Sequence, residues 1–299
     1  MNRRLLLFAV LVWLVPLGAC RSRHNHIVVG SKNFTEQLLL GEIVAQHLER
    51  STGLRVERRF YLAGTFICQQ ALLAGRIDLY VEYTGTALTA ILKEPPLRDH
   101  EEVYRRIKDA YARRFGLSVE KPLGFENSFA VVIRGDDARR LGVWTLSDAA
   151  RYTPHWRVAV GYEFLERADG FKGMAQAYGL RFAEAPRVMD LGLIYRALKE
   201  KQVDMAVGST TDGLIQALDL VVLKDDRHYF LPYDAVPIVR QQTLDQNVAI
   251  GTALSQLAGQ ITEEDMRRMN YAVDGLHRDA ADVARAFLES KHFVAASGR

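Results

Sequence analysis

Cysteine is nearly absent: of 299 residues only Cys20 and Cys68 carry a thiol. A disulfide framework is thereby excluded, and stability has to come from a buried core. Beyond the first twenty residues there is no long apolar run, which excludes a bundle of membrane-spanning helices. Charge of one sign is not in excess either. There are 39 Lys and Arg against 36 Asp and Glu, and the formal +3 falls to about +1 once Arg3 and Arg4 are set aside. No dense Lys/Arg block is present, so the pI of 8.8 gives no support to nucleic-acid binding. Catalytic patterns are missing as well. The chain has no Gly-x-Ser-x-Gly elbow, no His-Glu-x-x-His, no Cys-x-x-Cys, no Gly-x-Gly-x-x-Gly and no Walker motif. His24 and His26 would chelate only weakly, so neither a metal nor another cofactor is expected. Cys68 lies on an otherwise apolar helical segment and reads as a buried, inert thiol.

What is present begins with a leader. Arg3 and Arg4 precede the apolar run Leu5 to Leu17, which is too short to span a bilayer and fits an export signal. The run ends in Leu17-Gly18-Ala19-Cys20, the pattern of a bacterial lipobox, in which Cys20 is lipidated and becomes the mature N-terminus. Residues 1–19 are then a lipoprotein signal peptide and 20–26 a polar leash. The lipid would hold the protein extracytoplasmically on a membrane surface.

About 280 residues remain, at an ordinary apolar content of 48%. Apolar β-type runs alternate with segments of helical period: a strand at 27–30, a helix over 35–50, a strand at 54–60, a helix over 65–74 and a strand at 77–81. Helices are expected again at 261–275 and 279–289. This alternation is the signature of an α/β fold. The pattern also repeats. Ala71-Leu72, Ile77-Asp78-Leu79 and Val81 return 126 residues later as Ala197-Leu198, Val203-Asp204-Met205 and Val207. Each copy leads into a Thr/Gly-rich stretch, Tyr83 to Leu88 or Ser209 to Leu214. Ligands of open α/β sheets bind at the carboxyl ends of strands, so two facing lobes would bring these stretches together. The chain is expected to leave the first lobe near Phe125 and re-enter it near Pro237. That makes lobe I residues 27–126 plus 237–299, lobe II residues 127–236, and the number of hinge crossings two.

Several blocks resemble the substrate-binding proteins of osmoprotectant ABC transporters, which take glycine betaine, choline, carnitine or proline betaine. Gly30-Ser31-Lys32-Asn33-Phe34-Thr35-Glu36-Gln37 is similar to the N-terminal signature, and Asp78 to Leu88, containing Glu82-Tyr83-Thr84-Gly85-Thr86, to the most distinctive stretch. Glu163 to Gly170, Met189 to Leu193, Thr211-Asp212-Gly213, Leu223 to Asp226 and Pro232-Tyr233 also match. The similarity runs from about residue 27 to 288. It implies a type II periplasmic-binding-protein fold and partners in a membrane permease and a separate ATPase, with a likeness to monomeric carriers.

A quaternary ammonium has no N–H to donate, so aromatic faces must hold it, at about 0.5–2 kcal/mol per ring. A carboxylate on the same solute wants a cationic fork. The resemblance assigns the aromatic cage to Tyr83, Phe129 and Tyr233, with Thr86 and Asn127 as polar contacts. It gives Lys32, Gln37 and Arg167 to the polar end of the solute. A structural salt bridge from Arg167 to Glu163, Glu166 or Asp169 is the rival reading. The chain departs from the family at Ser209, where a cage Tyr is usual, and at Phe129, which lacks the phenol hydroxyl. A lost ring costs about 1–2 kcal/mol, up to roughly thirtyfold in affinity. Either ordinary betaines bind more weakly, or the space admits a different, bulkier or flatter cationic or zwitterionic solute such as a modified-histidine betaine or an amino acid, with Ser209 and Thr210 hydrogen-bonding it. The remaining alternatives are a sensor presenting its closed form to a receptor and an enzyme that reuses the fold. For the enzyme, Asp212, alone or with Glu82, is the available acid–base group.

Overall fold

A computed structural model describes residues 26–293. The leader, Cys20 and His24 lie outside the described residues. The first half runs β1 (His26–Gly30), α1 (Thr35–Thr52), β2 (Arg55–Arg59), α2 (Thr65–Leu73), β3 (Leu79–Tyr83), α3 (Thr84–Thr86), a π-helical turn (Ala87–Ile91), α4 (His100–Phe115) and β4 (Leu117–Val119). The second runs β5 (Phe129–Arg134), α5 (Gly135–Leu141), α6 (Leu146–Ala149), β6 (Val158–Val160), α7 (Tyr162–Glu166), α8 (Phe171–Tyr178), β7 (Arg187–Val188), α9 (Leu191–Lys199), β8 (Met205–Ser209), α10 (Leu214–Ala217) and β9 (Leu220–Val222). The chain ends with β10 (Ala235–Arg240), α11 (Gln241–Gln246), α12 (Val248–Leu257), α13 (Glu263–Asp274) and α14 (Ala280–Ser290).

The strands form two five-stranded sheets of the same design, β2-β1-β3-β10-β4 and β7-β6-β8-β5-β9. In each, three strands are parallel and one strand, the last to be added in the first sheet (β10) and the first in the second (β5), runs antiparallel between its neighbours. The central strands β1, β3, β6 and β8 are apolar along nearly their whole length because helices cover both sheet faces. α1 buries Leu39, Leu40, Ile43, Val44 and Leu48 on the first sheet and stops where Gly53 takes a left-handed φ of 68°.

The 126-residue sequence echo has a structural counterpart. Asp78 accepts the Val28 N–H at 2.8 Å, and Asp204 accepts the Arg157 N–H at 3.0 Å. Each of these aspartates also pairs with an arginine at the end of the antiparallel strand of its own sheet, Arg240 or Arg134. Because Asp78 is engaged this way, β3 starts at Leu79, two residues later than the apolar run suggests. Tyr83 is consequently the last strand residue, and a helix begins at once.

The two connectors between the sheets lie side by side. Asn127 donates its N–H to the Tyr233 carbonyl at 3.0 Å, Ala235 donates to Phe125 at 3.1 Å, and Glu126 bridges Asp234. β10 starts at Ala235, two residues before Pro237. The carboxyl ends of β3 and β8 and the beginnings of β5 and β10 therefore face a common space, since Tyr83 pairs with Ala235 and Ser209 with Phe129. Among the described residues, no helix is long and apolar enough to cross a membrane.

Candidate ligand-binding site

A cavity of about 520 Å³ opens between the two sets of strand ends, within the size range of small-molecule sites. Lys32, Tyr83, Thr86, Asn127, Phe129, Arg167, Ser209 and Tyr233 all line it. Gln37 does not. It lies buried behind Tyr83 and donates its amide N–H to the Tyr83 hydroxyl at 3.1 Å. From α1 it supports the ring that lines the cavity and is not itself among the lining residues.

The aromatic groups converge. The Phe129 and Tyr233 rings meet edge to face at 5.3 Å, and Phe164 packs on Phe129 at 4.5 Å. Ser209 is the cross-strand partner of Phe129, so the small residue opens space directly beside that ring. Phe34, Phe66, Tyr162 and Phe164, to which the sequence reading gave no role in the site, add aromatic wall.

The charged groups are arranged otherwise than expected. Arg167 forks onto Asp169, Nε to Oδ1 at 2.8 Å and Nη2 to Oδ2 at 2.5 Å, and its Nη1 donates to Thr86 Oγ1 at 2.7 Å. Asp169 also accepts from Tyr233 at 2.7 Å and from Thr89 at 3.0 Å. Burial works to raise the Asp169 carboxyl, but the guanidinium outweighs it and holds the group below the usual carboxylate range. Of the three carboxylates offered by the sequence, Asp169 takes the arginine, because Arg167 ends α7 in extended backbone and its side chain folds toward the residue two further on. Lys32 is paired with the buried Glu82 and donates to Thr65 at 3.0 Å. Both cations expected to face a solute carboxylate are thus already neutralised inside the protein. They also approach the rings: Lys32 Nζ lies 4.7 Å from the Tyr83 centroid, and the Arg167 guanidinium 5.4 Å from that of Phe129 and 5.6 Å from that of Tyr233.

Behind the cavity is a residue the motif contained but the reading left without a role. Glu36 is buried and takes Tyr83 Oη at 2.5 Å and Asn127 Nδ2 at 2.7 Å on one oxygen. The other oxygen takes the Thr211 hydroxyl and Asn270 Nδ2. Burial raises its carboxyl, and these four donors pull it partly back. Asp212 is held apart from the cavity by Tyr195 and the Ser209 N–H, while Glu82 is bound to Lys32, so the two carboxylates do not form an acid–base pair. Cys68 is fully buried, and burial pushes its thiol up to about 12.

The family described as the substrate-binding domain of the ABC-type glycine betaine transport system matches residues 25–290. The chain belongs to that family. Among its relatives, the carnitine transport binding protein OpuCC of Listeria monocytogenes is 33% identical over 278 residues, covering 92% of this chain and 90% of the relative. The ergothioneine transport permease/ergothioneine binding protein EgtU of Helicobacter pylori is 34% identical over 285 residues, 95% of this chain and 50% of that longer protein. A solved glycine betaine/carnitine/choline ABC transporter structure superposes with a TM-score of 0.74 at 30% identity, covering 89% of this chain and 99% of that one. This member of the betaine-type binding proteins is thus the substrate-binding component of an ABC transporter, with the type II periplasmic-binding-protein fold.

Proposed function

We propose that the protein captures a quaternary-ammonium or betaine-type solute between two lobes, residues 27–126 with 237–299 and residues 127–236, and hands it to a membrane permease driven by a separate ATPase. The single observation that carries this reading is the convergence of Tyr83, Phe129 and Tyr233 on one cavity whose internal cations are already paired. With Lys32 and Arg167 neutralised, Glu163 and Asp190 leave the lining with an excess of negative charge. Such a lining attracts a cation, and the ring quadrupoles hold one that cannot donate a hydrogen bond. Thr86, Asn127 and Ser209 supply polar contacts around it. No catalytic role is assigned, since Asp212 and Glu82 are each bound elsewhere. The Cys20 lipobox supports attachment to the outer face of a membrane, and the protein acts as a monomer.

A second solute class is favoured by a specific feature. Ser209 opens the wall beside Phe129, and Phe34, Phe66 and Phe164 offer further flat surfaces, which suits a larger, planar cation such as a histidine-derived betaine. Calorimetric titration of the purified chain with glycine betaine, choline, carnitine, ergothioneine and unmethylated amino acids tests both readings. Heat with a methylated cation and none with amino acids is expected. Tight binding of an unmethylated amino acid, or no binding by any methylated cation, would overturn the proposal.

A further inference from the structure

Ser209 faces two cavities. Besides the site described above, a second cavity of about 500 Å³ has Phe34, Tyr271 and Asp274 from one half of the molecule and Tyr195 and Asp212 from the other in its lining. Phe34, Asp190, Leu191 and Ser209 line both cavities, so these four residues form the partition between them. Ser209 is the smallest of the four, and a ring at its position would stand in that partition.

The second cavity has its own chemistry. Arg196, Lys199, Glu200 and His277 in its lining are exposed, whereas Asp212 and Asp274 are partly buried. Each of these two aspartates commits one oxygen to the protein. Asp212 Oδ2 accepts from the Tyr195 hydroxyl and from the Ser209 N–H at 3.0 Å, and Asp274 Oδ1 accepts from Thr35 at 2.6 Å. Asp212 Oδ1 and Asp274 Oδ2 have no hydrogen-bond partner among the described residues, and neither is sealed from solvent. Burial raises both carboxyls, and at Asp212, which reaches about 7, the Asp274 charge adds to the effect. A cation arriving beside them favours their charged forms. An anionic group would meet the two carboxyls instead, while the exposed Arg196 and Lys199 are screened by solvent.

We infer that the solute is an elongated cation with two binding ends: a methylated ammonium among Tyr83, Phe129 and Tyr233, and an amino-bearing tail that passes Ser209 and donates to Asp212 and Asp274 in the second cavity. The inference deepens the capture reading above and rests on it. Ser209 is then a specificity-determining residue, because a ring that completed the cage there would also close the passage.

Calorimetric titration with a series of trimethylammonium compounds tests this. Tetramethylammonium is the head alone; the others carry chains of increasing length that end in a methyl, amino or carboxylate group. Beyond a threshold length, the amino compounds are expected to bind about tenfold or more tightly than methyl compounds of equal length, and the carboxylates no tighter than the methyl compounds. Ser209→Tyr should reverse the preference. Tetramethylammonium and choline gain about three- to thirtyfold, while the long amino compound loses about tenfold or more. Asp274→Asn, which keeps an acceptor for Thr35, should weaken the long amino compound about five- to tenfold more than it weakens choline. Unfolding temperatures are measured alongside, and Asp274→Asn carries the test alone if Ser209→Tyr does not fold. Equal affinities for amino and methyl ends at every length overturn the inference, as does a folded Ser209→Tyr protein that weakens short and long compounds alike. A head that binds without benefit from any tail removes this inference only. If neither tetramethylammonium, choline nor any longer compound binds the parent, the capture reading falls and takes the inference with it.

Discussion

Replacing Tyr83 with phenylalanine separates two jobs that the side chain performs at once. Its ring faces the cavity, while its hydroxyl faces away, donating to Glu36 at 2.5 Å and accepting from Gln37 at 3.1 Å. Removing the oxygen takes one of four donors from a buried carboxylate and leaves the Gln37 amide N–H unsatisfied beside an amide oxygen that already lacks a partner. An unsatisfied buried polar group costs about 1–3 kcal/mol, more where a charge is involved. Some relaxation of Glu36 onto Asn127 and Thr211 offsets part of this, so a loss of about 2–3 kcal/mol is expected. For a chain of this size that lowers Tm by roughly 4–10 °C. The ring quadrupole is nearly unchanged, so affinity for a quaternary-ammonium solute should stay within about threefold. Tyr83→Ala, by contrast, should lose both stability and most binding. Thermal unfolding and calorimetric titration of the two variants in parallel give the answer. A Tyr83→Phe protein that keeps its Tm but loses affinity more than tenfold would refute the division, because the hydroxyl would then be touching the solute.

Two further perturbations follow from the buried charges. Asp169→Asn leaves the Arg167 guanidinium without its carboxylate in a buried setting, which costs about 3–5 kcal/mol; an unchanged unfolding temperature would show that solvent already screens the pair. Asp212 carries a carboxyl raised from 3.8 to about 7, chiefly by burial, with the nearby Glu36 and Asp274 charges adding to it. The folded state therefore keeps a proton that the unfolded chain releases. The stability from this group is complete below about pH 4 and is lost as pH rises through about 7. Asp212→Asn, which retains an acceptor for Tyr195 and Ser209, should stabilise the protein at pH 8, on the order of 4 kcal/mol at most, and by little at pH 4. Equal urea-unfolding free energies for parent and variant at pH 8 would count against the buried, protonated state.

The parts of the fold legible in the sequence are those whose signal is local. α1 keeps its helical period and ends on a glycine that can adopt positive φ, and β1 and β3 read as apolar runs because both of their faces are covered. β7 was not legible, since its two residues, Arg187 and Val188, are exposed and carry no alternation. The site divides along the same line. Tyr83, Phe129 and Tyr233 were recognisable by residue type within motifs, and all three line one cavity. The roles of Glu36 and Lys32 were not recognisable, because each depends on partners that sequence distance hides. Glu36 finds donors 47, 91, 175 and 234 residues away. Its only local trace is an acidic residue one turn ahead of the apolar positions Leu39 and Leu40. Lys32 reads from sequence as an anion receptor but is paired with Glu82, 50 residues on, while for Arg167 the geometry takes the rival reading, an ion pair with Asp169 two residues on. That pairing reverses the expected electrostatics of the cleft. Cations left free would demand a solute carboxylate. Cations bound internally add no net charge, so under the proposed function the solute is selected by its positive head and its fit against Ser209. A carboxylate on the solute then contributes only by hydrogen bonds to groups such as Thr86, and choline, which has none, should be a competitive ligand alongside the betaines.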